Sequence, residues 1–126
     1  MDFLTEKIKW KNVYSKELME KSMDEYDKKI KRGMAMGELV NSGSYLSESD
    51  SITINLQNVS HIIVSYKWDE DNIILEIRIL DTPSGNILTS AFNKKDEIKA
   101  RFRGLGIVDK QINIISFDMR IEGDDI

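Results

Sequence analysis

The sequence contains no cysteine, one histidine, one proline and seven glycines among its 126 residues. Without cysteine there is no disulfide, no cysteine-ligated zinc and no thiol nucleophile. A lone histidine, His61, leaves little with which to build a histidine-based metal site. No apolar run approaches the roughly 18 residues of a membrane span, and the opening "MDFLTEKIKWKNVY" has no secretory-type apolar core, so no export signal is read there. Basic excess is also missing. The net charge is −4 and the pI about 5.1, which argues against a dedicated nucleic-acid binder. What remains, 40% apolar and 32% charged residues, is an ordinary composition for a single soluble domain.

The pattern along the chain is that of an α+β fold. Residues 1–12 mix charge with Phe3, Ile8 and Trp10 and read as an N-terminal arm. Leu18, Met19, Met23, Tyr26 and Ile30 recur at spacings that give a helix one apolar stripe, with Ser15 as N-cap and Gly33 as C-cap. A Gly-Glu-Leu turn and a serine-rich loop, residues 41–51, follow. Alternation predicts strands at Ile52, Ile54 and Leu56, at Ile62, Val64, Tyr66 and Trp68, and at Ile73, Leu75, Ile77 and Ile79. "DEDN" separates the last two as a hairpin turn, and "DTPSG" (81–85) is a tight turn before a short helix. "EIKARF" and "KQINIISFDMRI" read as further strands, the latter entering an acidic tail, residues 118–126. The expected architecture is one domain: a small, mostly antiparallel β-barrel or sheet with one long N-terminal helix and a short helix after the DTPSG turn.

Several segments carry a resemblance. "GELVNSG…INLQNVSHII", "ILDTPSGNIL" and "RGLG" occur in that order and resemble the phage prohead (capsid maturation) serine protease family, whose fold is similar to that of the herpesvirus assembly protease. The family pattern is Gly-Glu-Leu-x-His-Pro, an alternating strand, Val-Ser-His, Ile-Leu-x-Thr-Pro-x-Gly and a Ser-Ser-Arg-Gly-like segment. Gly37, Glu38 and Leu39 match the first motif, and Val59, Ser60 and His61 the third. Leu80, Asp81, Thr82, Pro83, Gly85, Asn86 and Ile87 match the fourth, and Arg103, Gly104, Leu105 and Gly106 the segment after the nucleophile.

The resemblance places the catalytic histidine on Asn41 and the serine pair on Arg101 and Phe102. An amide has no useful basicity near neutral pH, and guanidinium and phenyl groups offer no nucleophile. Two readings of His61 stay open: a structural imidazole on a sheet, or a displaced general base working with one of the serines Ser42, Ser44, Ser47, Ser49, Ser51, Ser60 or Ser65. The resemblance thus implies an inactive member of the family, with no catalytic residues, no metal and no cofactor. The implied function is an auxiliary or decoration protein of a tailed-phage head. It would bind the major capsid protein and other copies of itself, in the virion and, during assembly, in the host cytoplasm, with no membrane or specific nucleic-acid partner. Phe3, Trp10, Lys99, Arg101 and Arg103 are the candidate capsid contacts: two arm aromatics, and cations that alternate along a strand and suit an acidic partner. The alternative is an active or regulatory maturation protease that processes scaffold or capsid chains.

Overall fold

A computed structural model describes residues 4–40, 53–108 and 111–122. The element order is β1 (Thr5–Trp10), α1 (Lys16–Lys31), β2 (Met36–Val40), a single 3-10 turn (Leu56–Asn58), β3 (Val59–Asp69), β4 (Asn72–Ile79), α2 (Pro83–Asn93), β5 (Ile98–Val108) and β6 (Gln111–Ile121). The strands form one six-stranded sheet in the order β1-β4-β3-β2-β6-β5. All neighbours are antiparallel except β2 and β6, which run parallel.

This overturns the expectation of a mostly antiparallel barrel with a long N-terminal helix. The sheet is open and mixed, and a strand comes first, with the helix second. Residues 5–10, within the stretch read as an arm, pair along β4 from Thr5↔Arg78 to Trp10↔Ile73. The edge strands β1 and β5 do meet, but through side chains. The Trp10 ring lies 5.2 Å from Phe102 of β5 and 5.5 Å from Phe117 of β6. The sheet therefore curls until its aromatic side chains touch, without strand pairing between its edges.

The amphipathic pattern of α1 works as its sequence suggests. Met19, Met23, Tyr26 and Ile30 are buried, and Tyr26 packs edge-on against Phe117. Ser15 caps the first turn by accepting from the Leu18 N–H at 3.2 Å. Gly33, at φ +70°, takes the left-handed position just past the helix end. Ser22 pins the helix to the sheet: its hydroxyl donates to the Leu18 carbonyl and accepts from the Ile112 N–H, both at 2.8 Å.

β4 is the plainest strand, with Ile73, Leu75, Ile77 and Ile79 buried on one face. In β3 the expected single face of Ile62, Val64, Tyr66 and Trp68 breaks. The register jumps between Ile63↔Ile77 and Ser65↔Glu76, so Val64 is a bulge. Ile63 is buried before the bulge, and Tyr66 and Trp68 join the core after it. The strand expected at Ile52, Ile54 and Leu56 is not found in its described part. Leu56 belongs to the 3-10 turn and is 71% exposed. The DTPSG segment starts α2 rather than preceding it, with Thr82 as N-cap and Pro83 in the first turn, where its missing N–H costs nothing. Among the described residues no helix is long and apolar enough to cross a membrane.

Thr82 has two duties. Its Oγ1 accepts from the Gly85 N–H at 2.9 Å and donates to the Val59 carbonyl at 2.7 Å, tying α2 to β3. Thr82→Ala should cost about 1–2 kcal/mol in a urea melt, whereas Thr82→Ser should retain most of the stability. Equal losses in both variants would show that the hydroxyl is not what anchors the helix.

Candidate functional site

The segments that carry the resemblance converge on the junction of β2 with β6. Backbone pairing there is brief, registering only Leu39↔Met119 and Val40↔Arg120. Polar side chains extend it. The Asp118 Oδ1 accepts the Glu38 N–H at 2.9 Å and the Ser116 hydroxyl at 2.9 Å. Arg103, on β5, reaches across β6 to the Glu38 carboxylate, with Nη2 to Oε2 at 2.7 Å. Its Nε lies 2.7 Å from Asp118 Oδ2 while the N–H is directed to Ser116 Oγ at 3.0 Å. Glu38, Arg103, Ser116 and Asp118 are all buried. Burial pushes the Asp118 carboxyl up from its ordinary value, against the opposing pull of the Glu38 N–H, the Arg103 charge and Ser116.

The network is closed from outside by residues 53–58. Arg103 Nη1 donates to the Thr53 carbonyl at 3.0 Å. Glu38 accepts from the Asn55 N–H at 3.1 Å and from Asn58 Nδ2 at 3.3 Å. Charges on three strands thus serve as a fixed staple for the segment that follows the serine-rich loop.

His61 sits beside this staple. Its Nε2 lies 2.9 Å from the Phe117 carbonyl oxygen, which can only accept, so Nε2 carries the proton. Nδ1 is then the acceptor for the Ser60 hydroxyl, 2.7 Å away. To make the Phe117 bond the imidazole lies across Gly37 of β2. A β-carbon on Gly37 would land on His61 Nε2 and on the Phe117 oxygen. Burial lowers the His61 pKa to about 4, against the raising effect of the Phe117 bond, so the ring is neutral at pH 7.

A serine hydroxyl at hydrogen-bond distance from an imidazole is the contact that a displaced catalytic pair requires. Ser60 and His61 are, however, both 0% exposed. In this conformation no peptide carbonyl can approach the hydroxyl, and the second ring nitrogen is spent on a main-chain oxygen. The arrangement suits a sheet fastener.

The other sequence candidates scatter. Asn41, Phe3 and the serines at 42, 44, 47, 49 and 51 lie outside the described residues. Phe102 packs among Trp10, Tyr14 and Phe117. Arg101 is half-buried, Lys99 is exposed, and Ser65 is exposed and bonded to Glu76. Trp10 and Arg103, expected as capsid contacts, are 6% and 7% exposed, so neither side chain is presented to a partner. The reason differs for each: Trp10 fills the curled face of the sheet, and Arg103 is consumed by two carboxylates. Sequence reading missed the Glu38–Arg103–Asp118 network. Its one available signal was the coincidence of Glu38 and Arg103 within separate matching motifs.

No protein family matches this sequence, and no curated protein does. Among solved structures, the chain is similar to the capsid assembly protease of bacteriophage T4, gp21, with a TM-score of 0.65. The likeness covers 94% of this chain and 81% of that one at 16% sequence identity. At that identity it speaks for a shared fold: this chain has a phage prohead protease-like fold.

Two outcomes test this description. Gly37→Ala should destabilise the protein by about 1–3 kcal/mol or more, because neither the ring nor the backbone oxygen it meets can yield freely. A urea midpoint unchanged from wild type would contradict the close approach. Second, the unfolded imidazole takes up its proton near pH 6.5 and the folded one near 4. The unfolded chain therefore binds more protons between those values. Stability present above pH 6.5 should fall by about 3 kcal/mol as the pH drops to 4. Asp118 acts in the opposite sense, since its raised pKa favours the folded state on acidification. His61→Gln isolates the histidine contribution: urea melts of this variant should lose that acid-side decline, and an unaltered decline would assign it elsewhere.

Proposed function

We propose that this chain is a non-enzymatic protein of a tailed-phage head, a prohead protease-like fold used as a binding module on the major capsid protein. The observation that carries the reading is the burial of Ser60 and His61 behind β2, together with the fold shared with a capsid assembly protease. The positions that the motif order assigns to the nucleophile hold Arg101 and Phe102, and Phe102 is built into an aromatic cluster. Acyl transfer needs an accessible hydroxyl and a base poised to take its proton. Here the hydroxyl bonded to the imidazole is sealed, and its partner ring is a fixed donor to Phe117. Lys99 and Arg101, at the start of β5, supply a basic face suited to an acidic capsid surface. A head component would gain avidity from many symmetry-related weak contacts. It would reside in the virion, after passing through the host cytoplasm during assembly.

The second reading, an active or regulatory maturation protease, draws its support from the 2.7 Å Ser60–His61 contact. Mass spectrometry of purified virions separates the two. The structural role predicts abundance comparable to that of the major capsid protein and normal scaffold processing when the gene is deleted. Absence from virions, with scaffold cleavage lost on deletion and on His61→Ala, would overturn it.

A further inference from the structure

Seven large apolar side chains stand exposed among the described residues. Val13 (79% exposed) and Tyr14 (39%) lie in the link between β1 and α1, while Leu105 (48%) and Ile107 (63%) lie toward the far end of β5. Tyr14 touches Phe102 of β5, and Ile107 shares the α1 side of the sheet with its register partner Ile112, while Leu105, opposite Asn113, takes the other face. Between α1 and Ile107 opens a groove of about 440 Å³ lined by Ser15, Glu17, Leu18, Lys21 and Ile107.

Two features say what fills the groove. The first is its rim. Glu17 and Lys21 are exposed and one helical turn apart, at a spacing that commonly gives an ion pair. Neither forms an ion pair among the described residues, although Lys28 and Lys31 on the same helix do. One unpaired acid and one unpaired base beside the same groove make a self-complementary rim: under a two-fold axis each meets its opposite. The second is β5, an edge strand with no outer strand beside it among the described residues. Its cations, Lys99, Arg101 and Arg103, all lie in its first half, and the half that exposes Leu105 and Ile107 has neither lysine nor proline to protect the edge.

We propose that a second copy of this chain docks here, groove against groove about a two-fold axis. Ile107 of each copy enters the groove of the other, and Glu17 of each faces Lys21 of its mate. The face is distinct from the Lys99–Arg101 face and does not depend on the proposed role in the phage head. A dimer with a non-capsid function would leave it intact.

Sedimentation equilibrium of the full chain, over a concentration series reaching about 1 mM, tests the idea. The expected result is a monomer–dimer equilibrium. Ile107→Asp should weaken it by about a hundredfold or more, since it places a carboxylate in each groove. Glu17→Lys and Lys21→Glu should each weaken it by about tenfold, as like charges then face each other at both symmetric sites. The double reversal Glu17→Lys with Lys21→Glu should restore the wild-type constant. Circular dichroism confirms that each variant is folded. A monomer throughout the series overturns the proposal, as does self-association indifferent to Ile107→Asp. Single reversals that weaken the dimer without recovery in the double variant overturn the two-fold arrangement.

Discussion

The structure depends on how two antiparallel groups of strands are joined. β1, β4, β3 and β2 form one group, β6 and β5 the other, and among the described residues the only strand pairing between them is the short parallel contact of β2 with β6. So few backbone bonds give a weak hinge unless side chains reinforce them. Here they do so through main-chain groups: Asp118 accepts a hydrogen bond from the Glu38 N–H, and His61 donates one to the Phe117 carbonyl. Arg103 then spans β5, β6 and β2 in one reach. Removing two carboxylates and a guanidinium from water is expensive and is compensated only when each is closely paired. Losing one member of such a set therefore costs far more than the set contributes net. That asymmetry makes the join specific, because alternative registers would strand a buried charge.

This join also gives the motif residues structural roles of their own. Gly37 is small because an imidazole must cross it. Glu38 is acidic because Arg103 lies opposite. His61 is an imidazole because it must donate to a carbonyl and accept from Ser60 on the same ring. Each therefore has a structural reason to be there that does not depend on catalysis. The motifs that carried the resemblance therefore identify a fold, and the likeness to the T4 capsid assembly protease agrees with that.

The legible parts of the fold were those with one buried face. α1 and β4 show a clean periodicity because a single side of each meets the core. β2 was read as a turn: it is five residues long, contains glycine and a charge, and is buried at Gly37, Glu38 and Val40, so no alternation survives. β1 hid behind its charges: Lys7 and Lys9 are exposed, and Glu6 is half-buried on the face of Ile8 and Trp10. The misread face of β3 came from a single bulge at Val64, which no local pattern announces. In the site, Arg103 looked like one of three alternating surface cations. Its burial is set by Glu38 and Asp118, which lie far apart in sequence and meet only once β2 and β6 pair. Pairing across a fold is information that one sequence read locally does not carry.

If the join is what holds the fold, its charges must act together. A double-mutant cycle on Glu38→Gln and Arg103→Met, read by urea unfolding at pH 7, measures this directly. The predicted coupling is about 2 kcal/mol or more, at the upper end of what contacting residues show. Single-mutant losses that add to the double-mutant loss within about 0.5 kcal/mol would mean that the strands are held by something else.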